Sequence, residues 1–177
     1  MDRKELKIPK ERVAVLIGRD GEVKKRLEKK GKISIDIDSQ EGDVTIEGES
    51  LDVYIALGVV KAIARGFNPT IAEQLFNEKN AFEIIEIQDY VGKSKKDQMR
   101  LKGRVIGQEG KARKYIESYC DVKMVVYGKT IGLVGELEKV AMAKQAIEML
   151  LEGSPHGNVY KWLDNKKREL IRREFEG

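Results

Sequence analysis

The sequence predicts an α+β protein made of two copies of one small unit, each a three-stranded sheet with three helices on one face, followed by a C-terminal helix. Three observations predict it. The stretch Ile17-Gly18-Arg19-Asp20-Gly21 recurs as Ile106-Gly107-Gln108-Glu109-Gly110, an offset of 89 residues. The flanks follow: Lys24 matches Arg113, Leu27 matches Ile116, Ile33 matches Val122 and Ile37 matches Val126. After a turn shortened by two residues, Gly48, Val53, Ala56 and Val60 match Gly135, Val140, Ala143 and Ile147. Finally, each copy switches between period-two and helical patterning in the same order.

In the first copy, residues 5–8 read as a short strand. Pro9 then opens a helix, because its fixed φ suits a first turn, and that helix ends near Ile17. A second helix runs from Gly21 to about Lys30, with Val23 and Leu27 on one face, and Gly31 reads as its C-cap. Ile33, Ile35 and Ile37 alternate through a half-buried strand over 32–38. A polar turn over 39–42 leads into a strand over 43–47 with Val44 and Ile46 inward. Ser50 reads as the cap of a helix to about Arg65 carrying Leu51, Tyr54, Ile55, Val59 and Ile63 as core residues.

Asn68-Pro69 opens a short helical segment to about Asn77. The second copy repeats the order, with a strand over 82–88, a basic helix before Gly107 and a helix over 111–119. Strands over 122–126 and 130–134 and a helix over 136–151 complete it. Gly153-Ser154-Pro155 precedes a last helix over 158–175. The predicted divisions are 1–66, a connecting segment 67–80, 81–153, and an extension 154–177.

Composition bounds the function. Charged residues make up 36% of the 177, against roughly 25% in ordinary soluble domains. Lys and Glu dominate that excess, a bias common in proteins of hot-living organisms. The 34 basic and 30 acidic residues leave a net charge of only +4. The basic residues are nonetheless clustered: Lys93, Lys95, Lys96, Arg100, Lys102, Arg104, Lys111, Arg113 and Lys114 face only Asp97 and Glu109. Such a patch attracts polyanions. A single cysteine, Cys120, and a single histidine, His156, exclude an internal disulfide and a Cys/His zinc cluster. No apolar run reaches a membrane span and the first ten residues lack a signal core, so the expected setting is cytoplasmic.

The repeated glycines carry the chemistry. A tight turn between two helices needs backbone conformations that side-chained residues resist. A loop without Cβ atoms can lie against a sugar-phosphate backbone. The helix that starts at the turn aims its unpaired amides and positive dipole end at the same ligand. The result is a phosphate clamp blind to base identity. Bases would lie in an adjoining groove floored by Val13, Leu16, Ile33 and Ile35 in the first copy and by Lys102, Val105, Val122 and Met124 in the second. Binding residues expected at the first loop are Gly18, Arg19, Asp20, Gly21, Lys24 and Lys25. At the second they are Gly107, Gln108, Glu109, Gly110, Lys111, Arg113 and Lys114, with Lys102, Arg104, Val105 and Met124 beside them. The second loop has the stronger basic flank; the first is diluted by Glu11, Glu22 and Glu28.

The order strand, helix, Gly-x-x-Gly, helix, strand, strand, helix resembles the type I arrangement of the KH family, whose loop clamps about four nucleotides of single-stranded RNA. The resemblance covers roughly residues 4–153. In one respect the loops depart from it, since Asp20 and Glu109 stand where basic residues are frequent. The run Arg100 to Lys111 and the tail Ser154-Pro155-His156-Gly157-Asn158-Val159-Tyr160 further resemble the archaeal small-subunit ribosome-assembly KH proteins. These form the partner-of-Nob family, related to Krr-type processome proteins. That resemblance implies binding near the 3′ end of small-subunit rRNA during maturation, with a Nob-type endonuclease or a translation or assembly factor as partner. Eukaryotic relatives lack the first Gly-x-x-Gly; Gly18 and Gly21 are present here.

Other readings are weaker. Gly128-Lys129-Thr130 lacks the upstream glycine of a P-loop, since Lys123 stands in its place. Cys120 reads as a small structural residue, His156 as a cap or local hydrogen-bonder, and Trp162 as packing the last helix to the body. No catalytic constellation, cofactor or metal is expected. Open alternatives are another RNA setting (an exosome cap or a translational regulator) and an interaction scaffold in which only the second unit binds RNA.

Overall fold

β3 (Asp43–Gly48) has partners on both edges and so forms the middle of the first sheet. β1 (Asp2–Lys7) pairs with it antiparallel, with Leu6 opposite Val44. β2 (Ser34–Ile37) pairs on the other side, with Ile35 opposite Ile46. Three helices complete the repeated unit: α1 (Lys10–Ile17), α2 (Glu22–Gly31) and α3 (Ser50–Ala64). Val13, Leu16, Val23, Leu27, Val53, Val59 and Ile63 join Ile35, Val44 and Ile46 in the core. Each such side chain contributes about 1.5–3 kcal/mol on burial. A short α4 (Pro69–Ala72), capped by the Asn68 side chain, follows.

The second unit repeats this plan. Its sheet, from β4 (Asn80–Glu86), β5 (Lys123–Tyr127) and β6 (Thr130–Glu136), has the order β4-β6-β5. Met124 faces Leu133, the counterparts of Ile35 and Ile46. A one-turn α5 (Gln88–Val91) precedes α6 (Lys95–Ile106), whose first turn is capped by Ser94. α7 (Lys111–Cys120), α8 (Leu137–Leu151) and the long α9 (His156–Glu176) complete the chain. The computed structural model describes every residue, Met1–Gly177, and its compact units are Met1–Phe82 and Glu83–Gly177. The connecting segment 67–80 therefore lies within the first unit, and α9 lies within the second.

Several local expectations are corrected. The left-handed residue ending α2 is Lys32 (φ 56), not Gly31. Gly31 is the last helical residue, and a side chain is excluded there because the Phe76 ring would lie 2.9 Å from a Cβ. Asp121 (φ 54) caps α7 in the same way. Ser50 is the first helical residue; Glu49 precedes it in extended conformation and makes no side-chain cap. Pro9 likewise stands just before α1. Leu51 and Tyr54 are 69% and 75% exposed, while Val53, Ala56 and Val60 hold the buried stripe of α3. β1 begins three residues earlier than predicted, because backbone pairing to β3 continues where its side chains face solvent.

Both long helices end alike. Phe67 N donates to Ala62 O and Gly66 N to Ile63 O; Ser154 N donates to Met149 O and Gly153 N to Leu150 O. This is the double closure of a Schellman turn. A guanidinium then clasps each end. Arg12 Nε donates to Ile63 O (2.8 Å) and its Nη2 to Phe67 O (2.9 Å). Arg104 Nε donates to Leu150 O (2.9 Å) and its Nη2 to Ser154 O. The same carbonyls are held in both units, although Arg104 aligns with Val15 and Arg12 with Leu101. The arginine has moved one helical turn and kept its target.

Charge-assisted bonds to the open C-terminal end of a helix are worth more than neutral ones. Arg104→Ala is expected to lower the unfolding free energy by about 2–3 kcal/mol, read by urea denaturation. A loss below half that would show that the clasp adds little.

Candidate nucleic-acid interface

The loop between α1 and α2 is built from positive-φ residues: Gly18 (φ 76), Asp20 (φ 54) and Gly21 (φ 76). Between α6 and α7 the values are Gly107 (76), Glu109 (55) and Gly110 (74). One strained turn is thus formed twice. The glycines serve different purposes. A Cβ on Gly18 would lie 2.8 Å from Val23 N, and one on Gly107 would lie 2.7 Å from Ala112 N. These first glycines let the following helix start directly against the turn. Gly21 and Gly110 have room: the nearest atoms to a Cβ are Lys25 Cε at 3.8 Å and Lys114 Cε at 3.9 Å. There only the left-handed backbone asks for glycine.

Gly110 N donates to Gly107 O and Lys111 N to Gln108 O; Gly21 and Glu22 close the first loop identically. The amides just before these closures stay outside any helical ladder, and the next helix adds its own unpaired first amides. Gln108, Glu109, Arg19 and Asp20 are exposed. Asp20 and Glu109 occupy the left-handed position, so the acids depart from expectation where the backbone is most constrained. Lys25 and Lys114 run beside the last glycine of each loop.

The expected side chains divide into three groups. Lys111, Arg113, Lys114, Arg100 and Lys25 are exposed beside the loops, with Lys24 and Lys102 half-buried. Arg113 donates to Glu117 (2.8 Å), whose other oxygen accepts from Met124 N; Lys24 pairs with Glu28 (3.9 Å), which accepts from Ile35 N. A carboxylate on the second helix thus satisfies the edge strand in each unit. Arg104 is committed to its clasp. Val13, Leu16, Ile33, Ile35, Val105, Val122 and Met124 are buried, so they support a groove from beneath rather than form its surface.

Two residues outside the expected set stand beside the second loop. His156 Nε2 donates to Arg104 O (2.8 Å), and Tyr160 packs on Tyr115 with ring centroids 4.0 Å apart. His156 therefore makes a tertiary contact rather than a local one. Cys120 is buried, and burial pushes its thiol up to about 12, so it is a packing residue. Trp162 packs against the core of its unit. Gly128 and Lys129 form the two-residue hairpin between β5 and β6.

Two sheets of this order, each with an inter-helical glycine clamp, define a tandem KH protein. Family profiles agree: the KH domain matches residues 3–62, and the eukaryotic type KH-domain (KH-domain type I) matches residues 81–168. A KH domain-containing protein of Methanocaldococcus jannaschii is 48% identical over 176 residues, covering 97% of this chain and 77% of the relative. A chain in the crystal structure of an a/eIF2alpha-aDim2p-rRNA complex from Pyrococcus horikoshii aligns with TM-score 0.86 and 41% identity, over 95% of each chain. The pre-rRNA-processing protein PNO1 of Candida albicans is 31% identical over 102 residues, 57% of this chain but only 37% of that protein. The chain belongs to the KH-domain proteins and is homologous to the PNO1/Dim2 pre-rRNA-processing group. No helix is long and apolar enough to cross a membrane.

The two glycines of one loop are expected to respond differently to alanine. Gly110→Ala carries the left-handed penalty alone, about 1–2 kcal/mol. Gly107→Ala adds a clash with the start of α7 and is expected to cost at least twice as much in urea melts. Equal losses would contradict the assigned division.

Proposed function

We propose that the chain binds single-stranded RNA through both Gly-x-x-Gly loops, at the 3′ region of small-subunit rRNA during ribosome assembly. One observation carries the reading: a strained, amide-presenting turn is built twice, to within 2° in φ at every left-handed position. Strain kept in duplicate points to a use outside the fold. In the second unit Gly107, Gln108, Glu109, Gly110 and the first amides of α7 hold the backbone, with Lys102, Lys111, Arg113 and Lys114 supplying charge. Val105 and Met124 support the groove. In the first unit Gly18, Arg19, Asp20, Gly21, Lys24 and Lys25 form the weaker grip, because Glu11 and Glu22 stand where the second unit has Arg100 and Lys111.

The rRNA-bound Pyrococcus relative and the pre-rRNA-processing relatives support the ribosomal setting. A cytoplasmic location and a protein partner, either a translation factor subunit or a Nob-type endonuclease, belong to the same reading. It contains no catalytic step. A second reading, protein docking by the first unit, draws on the exposed Leu51 and Tyr54 of α3, which line an open apolar groove with Ile55, Leu57 and Leu75.

Gln108→Asp leaves both glycines in place and sets a charge against the bound phosphates. It is expected to weaken binding of a small-subunit rRNA 3′ fragment about tenfold, against about threefold or less for Arg19→Asp. Fluorescence anisotropy at fixed salt measures both. Equal effects would overturn the ranking of the loops, and no effect from either would overturn the clamp.

A further inference from the structure

The tail motif and the basic face of α6 meet beside the second loop, where they extend the clamp residues Gly107, Gln108 and Lys111 with groups the clamp does not include. An open cleft of about 480 Å³ lies beside the second loop, lined by Arg100, Gly103, Gly107, Lys111, His156 and Tyr160 among others. It is on the opposite flank of α7 from the edge strand. Arg113 and Glu117 face β5, whereas Tyr115 contacts Tyr160 of α9.

Gly103 is the informative residue. It lies inside α6, where glycine is a poor helix former. Its backbone is not left-handed, and a Cβ placed on it would meet nothing within 4 Å. Neither conformation nor packing asks for glycine here. What its absent side chain does is leave bare helix backbone as one wall of the cleft. Opposite walls carry Arg100 and Lys111, both exposed, and the rings of His156 and Tyr160, both half-buried. Arg100 has only a long contact to Asp97 (3.8 Å). One face of Tyr160 is covered by Tyr115, and burial raises its phenol pKa, so the hydroxyl stays protonated as a donor.

The first unit replaces the residues that carry this chemistry. Arg100 aligns with Glu11, Gly103 with Ala14 and Lys111 with Glu22. The trailing helices correspond as well: Tyr115 and Tyr160 align with Arg26 and Glu73, which form an ion pair in the first unit. One unit closes this corner with a salt bridge. The other opens it with two cations, two aromatic rings and a missing side chain.

We infer that the cleft between α6, the second loop and the start of α9 is a subsite for one further ribonucleotide, adjoining those held by the second Gly-x-x-Gly. Arg100 and Lys111 take its phosphate. Tyr160 and His156 flank its sugar and base, which approach over Gly103. This inference rests on RNA binding at the second loop and adds a footprint that the C-terminal helix supplies. Aromatic and cationic groups side by side are the usual means of holding an unpaired nucleotide.

The test uses the full chain with end-labelled random-sequence RNA pools of four and of nine nucleotides, followed by fluorescence anisotropy. Four nucleotides fill a KH clamp. Gly103→Leu fills the cleft with a better helix former, and thermal melting checks that the fold is kept. Gly103→Leu is expected to weaken nine-nucleotide binding about five- to tenfold while four-nucleotide binding stays within about twofold, and Arg100→Ala is expected to weaken nine-nucleotide binding by a similar factor. Arg100→Ala should also lower the log–log salt slope by about 0.7. Unchanged nine-nucleotide affinity in folded Gly103→Leu overturns the subsite and leaves the clamp standing. Failure of the unaltered chain to bind either pool overturns both.

Discussion

The proposed clamp depends on a helix that must begin within van der Waals distance of the turn before it. At Gly18 and Gly107 the amide nitrogen of the residue five positions on occupies the space a Cβ would need. The chain can reverse there only without a side chain and with left-handed residues following. That geometry leaves amides pointing outward from the turn and from the first turn of the next helix. Nothing in the core of either unit uses them. In the proposed function a polyanion takes them, since the donors are fixed, closely spaced and aligned with the helix dipole.

Around this shared constraint the two units have drifted in charge but not in architecture. The carboxylate that satisfies the edge strand is kept, as Glu28 and Glu117. The Schellman turn after the third helix is kept, at Gly66 and Gly153. So is the guanidinium that clasps it, although it comes from a different turn of the preceding helix. What changes lies on the surface next to the loop: Glu11 and Glu22 against Arg100 and Lys111, and Arg26–Glu73 against Tyr115–Tyr160. The scaffold is conserved between the units while positive charge beside the loop is redistributed toward the second. This also accounts for a modest overall charge of +4 on a protein of an RNA-binding family.

The fold was largely legible because its signals are local. Alternation marked Ile33, Ile35, Val44 and Ile46, glycine marked the loops, and the repeat let weak signals in one copy support the other. The errors have physical causes. Gly31 looked like a cap because glycine usually is one, yet the ring of Phe76 is what excludes a side chain. Leu51 and Tyr54 looked like core because they are apolar on a helix; their exposure depends on which stripe faces the sheet. At the candidate site the turn geometry was legible from the glycines. Arg104 was read as a surface cation because its carbonyl partners lie 46 and 50 residues away. His156 and Tyr160 were found only in space, although their counterparts Pro69 and Glu73 begin the same trailing segment at the shorter offset.

The most direct measurement is a nitrogen-15 correlation spectrum of the chain, titrated with a short single-stranded RNA from the small-subunit rRNA 3′ end. Bare-amide clamping predicts that the largest shifts fall on the backbone amides of Gln108 to Ala112, with smaller ones on Arg19 to Val23. Saturating RNA that moved other resonances and left both sets of loop amides in place would contradict it.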